Sequence, residues 1–227
     1  MYGLPDEVIE RVRARQGALH PWDSLDGRRC ALVVVDMQNY FVKPGFQAEV
    51  PAARGIVPAI NRAARAMRAH GGTVAWVQTA ADGADASWTY LHRQLYSPER
   101  SARRLAELST GTEGFALWHA LEALPQDLRI VKTRFSAFIQ GSSNLEAELR
   151  GRGIDTVLVA GTATNICCAS TAQDAMMLDF RTSMLADANA AGTESLHVES
   201  LKTFMLFFGD VMSVEEMERM LQAGART

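Results

Sequence analysis

The run Ala31–Val35, "ALVVV", is apolar at every position and is closed by Asp36. A strand with one wet face alternates apolar and polar residues. A run without alternation needs cover on both faces, as in a parallel sheet flanked by helices. Runs of similar character follow at "TVAWVQT" (73–79), "LRIVK" (128–132), "DTVLVAG" (155–161), "RTSMLAD" (181–187) and the short "DVMSV" (210–214).

Helical patterns separate them, over residues 5–17, 55–72 with its closing Gly71-Gly72, 142–153, 166–180, 193–208 and 214–224. In 142–153, Ser143 or Ser142 is the expected N-cap, and Glu146 completes a capping box with Ser143. Residues 80–127 are less regular and read as long loops with a short helix. The alternation predicts an α/β fold, a three-layer α/β/α sandwich with a mostly parallel, Rossmann-like sheet of about six strands. No repeat or linker divides the chain, so residues 1–227 read as one domain with 1–27 as a helical N-terminal extension.

Composition removes several function classes. A formal net charge of −3 argues against a general nucleic-acid or membrane-surface binder, which needs a basic face. No apolar run reaches the roughly 20 residues that span a bilayer. The N-terminal "MYGLPDEVIERVRARQG" has no apolar core of a secretory signal. Three cysteines, an odd number, make no disulfide framework, and free thiols in a reducing cytoplasm are expected.

In open sheets of this kind ligands bind beyond the carboxyl ends of the strands, where strand order reverses. The residues at those ends therefore matter most. The first strand ends in Asp36 and the third in Lys132, one of only three lysines beside Lys43 and Lys202. The fourth runs into "GTATNICCAST", with Cys167 and Cys168 on the turn into the next helix. A helix start favours an anion, which is expected to lower the pKa of Cys167. Each residue alone has an ordinary explanation: a capping Asp, a solvated Lys, a small buried Cys. Together a carboxylate, an ammonium and a thiol form the set that thiol-based acyl transfer requires.

The segments "ALVVVDMQNYF", "VKTRFSAF" and "VAGTATNICCASTAQDA" resemble, in order, the three signatures of the isochorismatase-like cysteine hydrolases. The resemblance runs from about residue 28 to the end. It looks closest to the branch of ureidoacrylate, N-carbamoylsarcosine and biuret or triuret amidohydrolases. It implies a triad of Asp36, Lys132 and Cys167, with Cys168 in a core position. It also implies a cis peptide between Thr162 and Ala163, and an oxyanion hole from the N–H groups of Ala163 and Cys167. The implied reaction is amide or ureido hydrolysis through a thioester with release of ammonia. Members assemble as homo-dimers or homo-tetramers, and the "FMLFF" helix would serve an interface or the core.

Pocket walls are expected from Phe41, Gln78, Trp88 and Phe135. Gln78 would bond a ureido group or hold loop backbone, and Trp88 would line the site or pack under a loop. Asn39 and Thr164 are expected to hold backbone near the site. Arginines of the 93–104 stretch would bind a substrate carboxylate or decorate the surface. Asp82 and Asp85 lack the nearby histidine of the metal-bearing nicotinamidases, so no metal and no other cofactor are expected. The five histidines, His20, His70, His92, His119 and His197, read as surface or capping residues. Three other readings compete: vinyl-ether cleavage, whose enzymes lack the cysteine; a thiol redox sensor built on Cys167 and Cys168; and a non-catalytic scaffold, whose mark would be loss of Asp36, Lys132 or Cys167, none of which is lost.

Overall fold

The unbroken apolar runs become the central strands of one sheet in the computed structural model, which describes residues 3–225. Residues 1–2 and 226–227, the outer ends of the expected domain and extension, lie outside the described residues. In chain order the elements are α1 (Asp6–Gln16), β1 (Cys30–Val35), the one-turn α2 (Asn39–Val42), α3 (Val57–Ala69), β2 (Thr73–Thr79) and the one-turn α4 (Ala84–Ser87). Then come α5 (Pro98–Leu108), β3 (Leu128–Lys132), α6 (Leu145–Gly151), β4 (Thr156–Thr162) and α7 (Ala169–Met177). The chain closes with β5 (Arg181–Ala190), α8 (Glu194–Phe207), β6 (Asp210–Met212) and α9 (Val214–Gly224). Strand order is β3-β2-β1-β4-β5-β6, and every pairing is parallel.

Strand periodicity explains why β1 has no polar residue. Leu32 and Val34 face one apolar layer, with Ile60 and Met67 of α3 and Met217 and Leu221 of α9. Ala31, Val33 and Val35 face the other, with Leu149 of α6, Ala172 of α7 and Phe204 of α8. Burying one such Val or Leu contributes about 1.5–3 kcal/mol. No helix among the described residues is long and apolar enough to cross a membrane.

The first three strands build the sheet outward in one direction and the last three in the other, so the order reverses between β1 and β4. There Val35 pairs with Gly161. Gly161 has a φ of +117°, and a Cβ on it would lie 2.1 Å from the Val35 carbonyl oxygen. Only glycine lets the two strands approach this closely at their carboxyl ends.

The structure corrects three local expectations. β5 continues to Ala190, past the expected end at 187, through an irregularity in its pairing with β4. The Asn189 amide fills that irregularity by donating to Val159 O (2.8 Å) and Leu185 O (2.7 Å). The capping box is not at Ser143 and Glu146: Asn144 occupies the N-cap of α6, Ser143 Oγ donates to Ala137 O, and Glu146 pairs with Arg150. A capping box does form at Ser213 and Glu216, so β6 stops at Met212. Within 80–127, α4, a π-helical turn (Leu91–Leu95) and α5 precede a long loop. That loop lies along the segment after β1, with Asn39 N donating to Ala116 O and Trp118 N donating to Met37 O.

Candidate active site

Asp36 is the first residue beyond β1, and its φ of 56° places it in the left-handed region. Asp tolerates that region better than most residues, yet it carries a cost that surrounding contacts must offset. Those contacts are present. Asp36 N donates to Val77 O, and the carboxylate is fully buried. Thr79 Oγ1 donates to Asp36 Oδ1 at 2.8 Å, and Lys132 Nζ donates to Oδ2 at 2.9 Å. Lys132 Nζ also donates to Thr79 Oγ1 (2.6 Å) and to Arg134 O (3.1 Å). Every ammonium proton thus has an acceptor, and both carboxylate oxygens have a donor.

Sheet register creates this network. Thr79 and Lys132 are cross-strand partners at the ends of β2 and β3. Gln38 locks the arrangement from behind, accepting from Thr79 N and donating to Thr79 O and Phe115 O. Burial opposes the charge on Lys132, but the Asp36 carboxylate, the Cys167 sulfur and the Asp36 hydrogen bond outweigh it and raise the lysine's pKa.

Cys167 lies in a π-helical turn, Thr164–Cys168, not in the first turn of α7. Ile166 N and Cys168 N both donate to Ala163 O, and the Thr162–Ala163 peptide is cis. Helix α8 clamps the turn: Thr164 Oγ1 and His197 Nδ1 share a 2.9 Å hydrogen bond, and Ser200 Oγ donates to Thr164 O. Cys167 is 6% exposed, whereas Cys168 is fully buried with its Sγ toward Ala160 O. All three cysteines are free.

The expected lowering of the Cys167 pKa does not occur. Burial first, then the negative charge of Asp36 and a hydrogen bond to it, push the thiol up to about 12; Lys132 works the other way without offsetting them. The resting sulfur is therefore a thiol beside the Asp36 carboxyl. Iodoacetamide alkylation of Cys167, followed by peptide mass mapping, is therefore expected to quicken by about tenfold per pH unit from pH 7 to 10 without levelling. A plateau below pH 8 would show a thiolate held at rest.

Of the expected wall residues, Trp88 and Phe135 meet edge to face with ring centroids 4.8 Å apart. Both line a cavity of about 470 Å³ together with Arg134, Ser136, Ser170 and Gln173. Phe41 packs in the apolar layer of α3 and α9, edge to face with Tyr40. Gln78 precedes the last residue of β2, and its amide donates to Phe115 O, so it holds the long loop. The Asn39 amide likewise holds Glu113 O. Asp82 accepts from Thr110 N and Oγ1. Among the described residues no three His, Cys, Asp or Glu side chains gather as a metal site.

The reading of the histidines as surface or capping residues fails most clearly at His92, which is 3% exposed. The π-helical turn brings Leu91 and His92 inward together, and His92 Nδ1 meets Ser101 Oγ at 2.8 Å. His20 is also more than surface, joining Asp210 at 2.9 Å. His70 does cap α3, through Ala66 O. The residue that sequence reasoning passed over is Thr79. Its signal was its place at a strand end, opposite Lys132.

A family model described as the isochorismatase domain matches residues 30–216. A ureidoacrylate amidohydrolase, RutB, of Methylobacterium radiotolerans is 33% identical over 220 residues, covering 89% of this chain and 83% of that protein. A probable inactive nicotinamidase of Arabidopsis thaliana is 34% identical over 176 residues, covering 77% and 87%. The solved cysteine hydrolase from Pseudomonas syringae pv. phaseolicola superposes with a TM-score of 0.80 at 28% identity, over 91% of this chain and 98% of that one.

Proposed function

The chain belongs to the isochorismatase family, and on that premise we propose that it is a cysteine amidohydrolase cleaving a C–N bond of a small ureido, carbamoyl or carboxamide substrate. The observation that carries the reading is the buried network of Asp36, Thr79 and Lys132 beside the Cys167 thiol. One relative's name marks it as an inactive nicotinamidase. This chain keeps the acid, the ammonium and the thiol, which favours an active enzyme.

In the proposed reaction Asp36 takes the Cys167 proton as the sulfur attacks the substrate carbonyl. The oxyanion is met by the N–H groups of Ala163 and Cys167. In such a hole each donor is typically worth about 2.7–4 kcal/mol in the transition state. Protonated Asp36 then gives its proton to the departing nitrogen, and ammonia leaves a thioester, or a thiocarbamate when the substrate is a ureide. Water attacks that carbonyl as Asp36 takes its proton; the sulfur departs and is reprotonated from Asp36. Lys132 holds the Asp36 carboxyl in place throughout. Acid, ammonium and thiol supply the whole reaction, so the proposal needs no metal.

Self-association as a dimer or tetramer is part of the proposal. Its support is Phe207, 65% exposed on α8, whose neighbours Phe204 and Met205 are core. Ammonia release over ureidoacrylate, N-carbamoyl amino acids, biuret and simple carboxamides tests the function. Turnover of at least one ureide is expected. Silence across the panel from folded protein, with the thiol intact, removes the reading.

A further inference from the structure

Helix α5, "PERSARRLAEL", is amphipathic, and the side chains it buries are Ser101, Arg104 and Leu108. That spacing is one helical face, on which the middle position calls for an apolar residue. It holds an arginine instead. Arg104 is 6% exposed, its Nε has no hydrogen-bond partner, and no carboxylate among the described residues forms a salt bridge with it. The other arginines of this stretch behave differently: Arg103 pairs with Glu107, and Arg100 lies over Tyr96.

A buried guanidinium without a counter-ion is costly, and proteins seldom keep one that nothing will neutralise. Its surroundings locate it. The guanidinium carbon is 5.8 Å from the ring centre of Tyr40, a buried residue of α2, the turn that follows Asp36. Its positive charge reaches both Lys132 and Cys167. A second observation is independent of it. His92 Nε2, also buried and also affected by the Arg104 charge, has no partner. In the tautomer that accepts from Ser101 at Nδ1, the neutral ring carries its proton on Nε2, a further unused donor.

We propose that Arg104 is the anchor for a carboxylate on the substrate, so that the enzyme selects acidic ureides over neutral ones. This rests on the amidohydrolase reading above and narrows it. A carboxylate is the group whose planar acceptor pair fits a guanidinium fork, and it supplies the counter-ion the fold leaves out.

The test compares 3-ureidoacrylate with its neutral methyl ester by ammonia release. Wild-type enzyme is expected to prefer the acid in kcat/KM by about 10²-fold, and Arg104→Gln to collapse that preference toward unity through KM. Arg104→Lys should restore part of it. A wild-type preference for the ester, or an acid-to-ester ratio untouched by Arg104→Gln, overturns the proposal. A second measurement needs no turnover: propionate should protect Cys167 from iodoacetamide in the wild type and fail to do so in Arg104→Gln. Protection with no ammonia from any ureide leaves the anion site standing and removes the hydrolase reading. Turnover of ureides without protection does the reverse.

Discussion

Replacing Cys167 by alanine is expected to lower ammonia release by roughly 10⁴-fold or more, because the covalent route has no second nucleophile. The paired control is Cys168→Ala. The two sulfurs are adjacent in sequence, but successive residues of a helical turn point about 100° apart. Cys168 points into the core toward Ala160 O. Its loss should cost about 1 kcal/mol of stability from a small cavity and leave turnover within about threefold. Steady-state kinetics and thermal melts on both variants decide the matter. Turnover retained in Cys167→Ala would falsify the thioester route, and a reversal of the two phenotypes would move the chemistry to Cys168.

The second large effect is expected at Lys132. The Lys132–Asp36 pair is fully buried at 2.9 Å. Removing one member of such a pair typically costs about 3–5 kcal/mol, since the other charge stays buried without compensation. Lys132→Met should therefore destabilise the fold by that amount and reduce turnover by roughly 10³-fold. The combined Asp36→Leu, Lys132→Met variant should be more stable than Lys132→Met alone, though inactive, because no charge is left behind. Denaturant unfolding of the wild type, both single variants and the double variant reads this directly. A double variant as unstable as the sum of the singles would mean that the pair is not the energetic unit. The raised pKa of Lys132 sets the sign of its pH dependence. The ammonium's contribution is complete below the unfolded value and is lost only as pH climbs past the folded one, so it is constant across neutral pH.

Much of this was legible in the sequence for a physical reason. Doubly covered strands cannot hide their composition, so β1, β2 and β4 stand out, and the residues that end them follow directly. Asp36 and Lys132 each close a strand, and the parallel sheet brings those ends to one edge. What the sequence hid depends on contacts distant along the chain. Thr79 reads as an ordinary strand threonine until register places it opposite Lys132. His92 reads as a surface or capping residue, and nothing in the sequence singles Arg104 out among the arginines of 93–104, until the π-helical turn and α5 bury them. The thiol's pKa was misjudged because helix-start electrostatics are local and visible in sequence, whereas desolvation by the whole fold is not. The α6 capping box failed because the helix begins one residue later: Ser143 Oγ accepts from Leu145 N, not from Glu146 N, and donates to Ala137 O.

The seam between Val35 and Gly161 has a wider consequence. Acid and thiol both emerge from a junction made of main chain alone, with no side chain between the strands whose replacement could adjust their spacing. Tuning at that junction is therefore closed to gradual substitution. On the proposed function, diversification of what the enzyme accepts is expected at the periphery, above all in residues 80–108, which carry Trp88, His92 and Arg104. Transplanting that stretch between relatives should exchange their preferences while the reaction centre stays as it is.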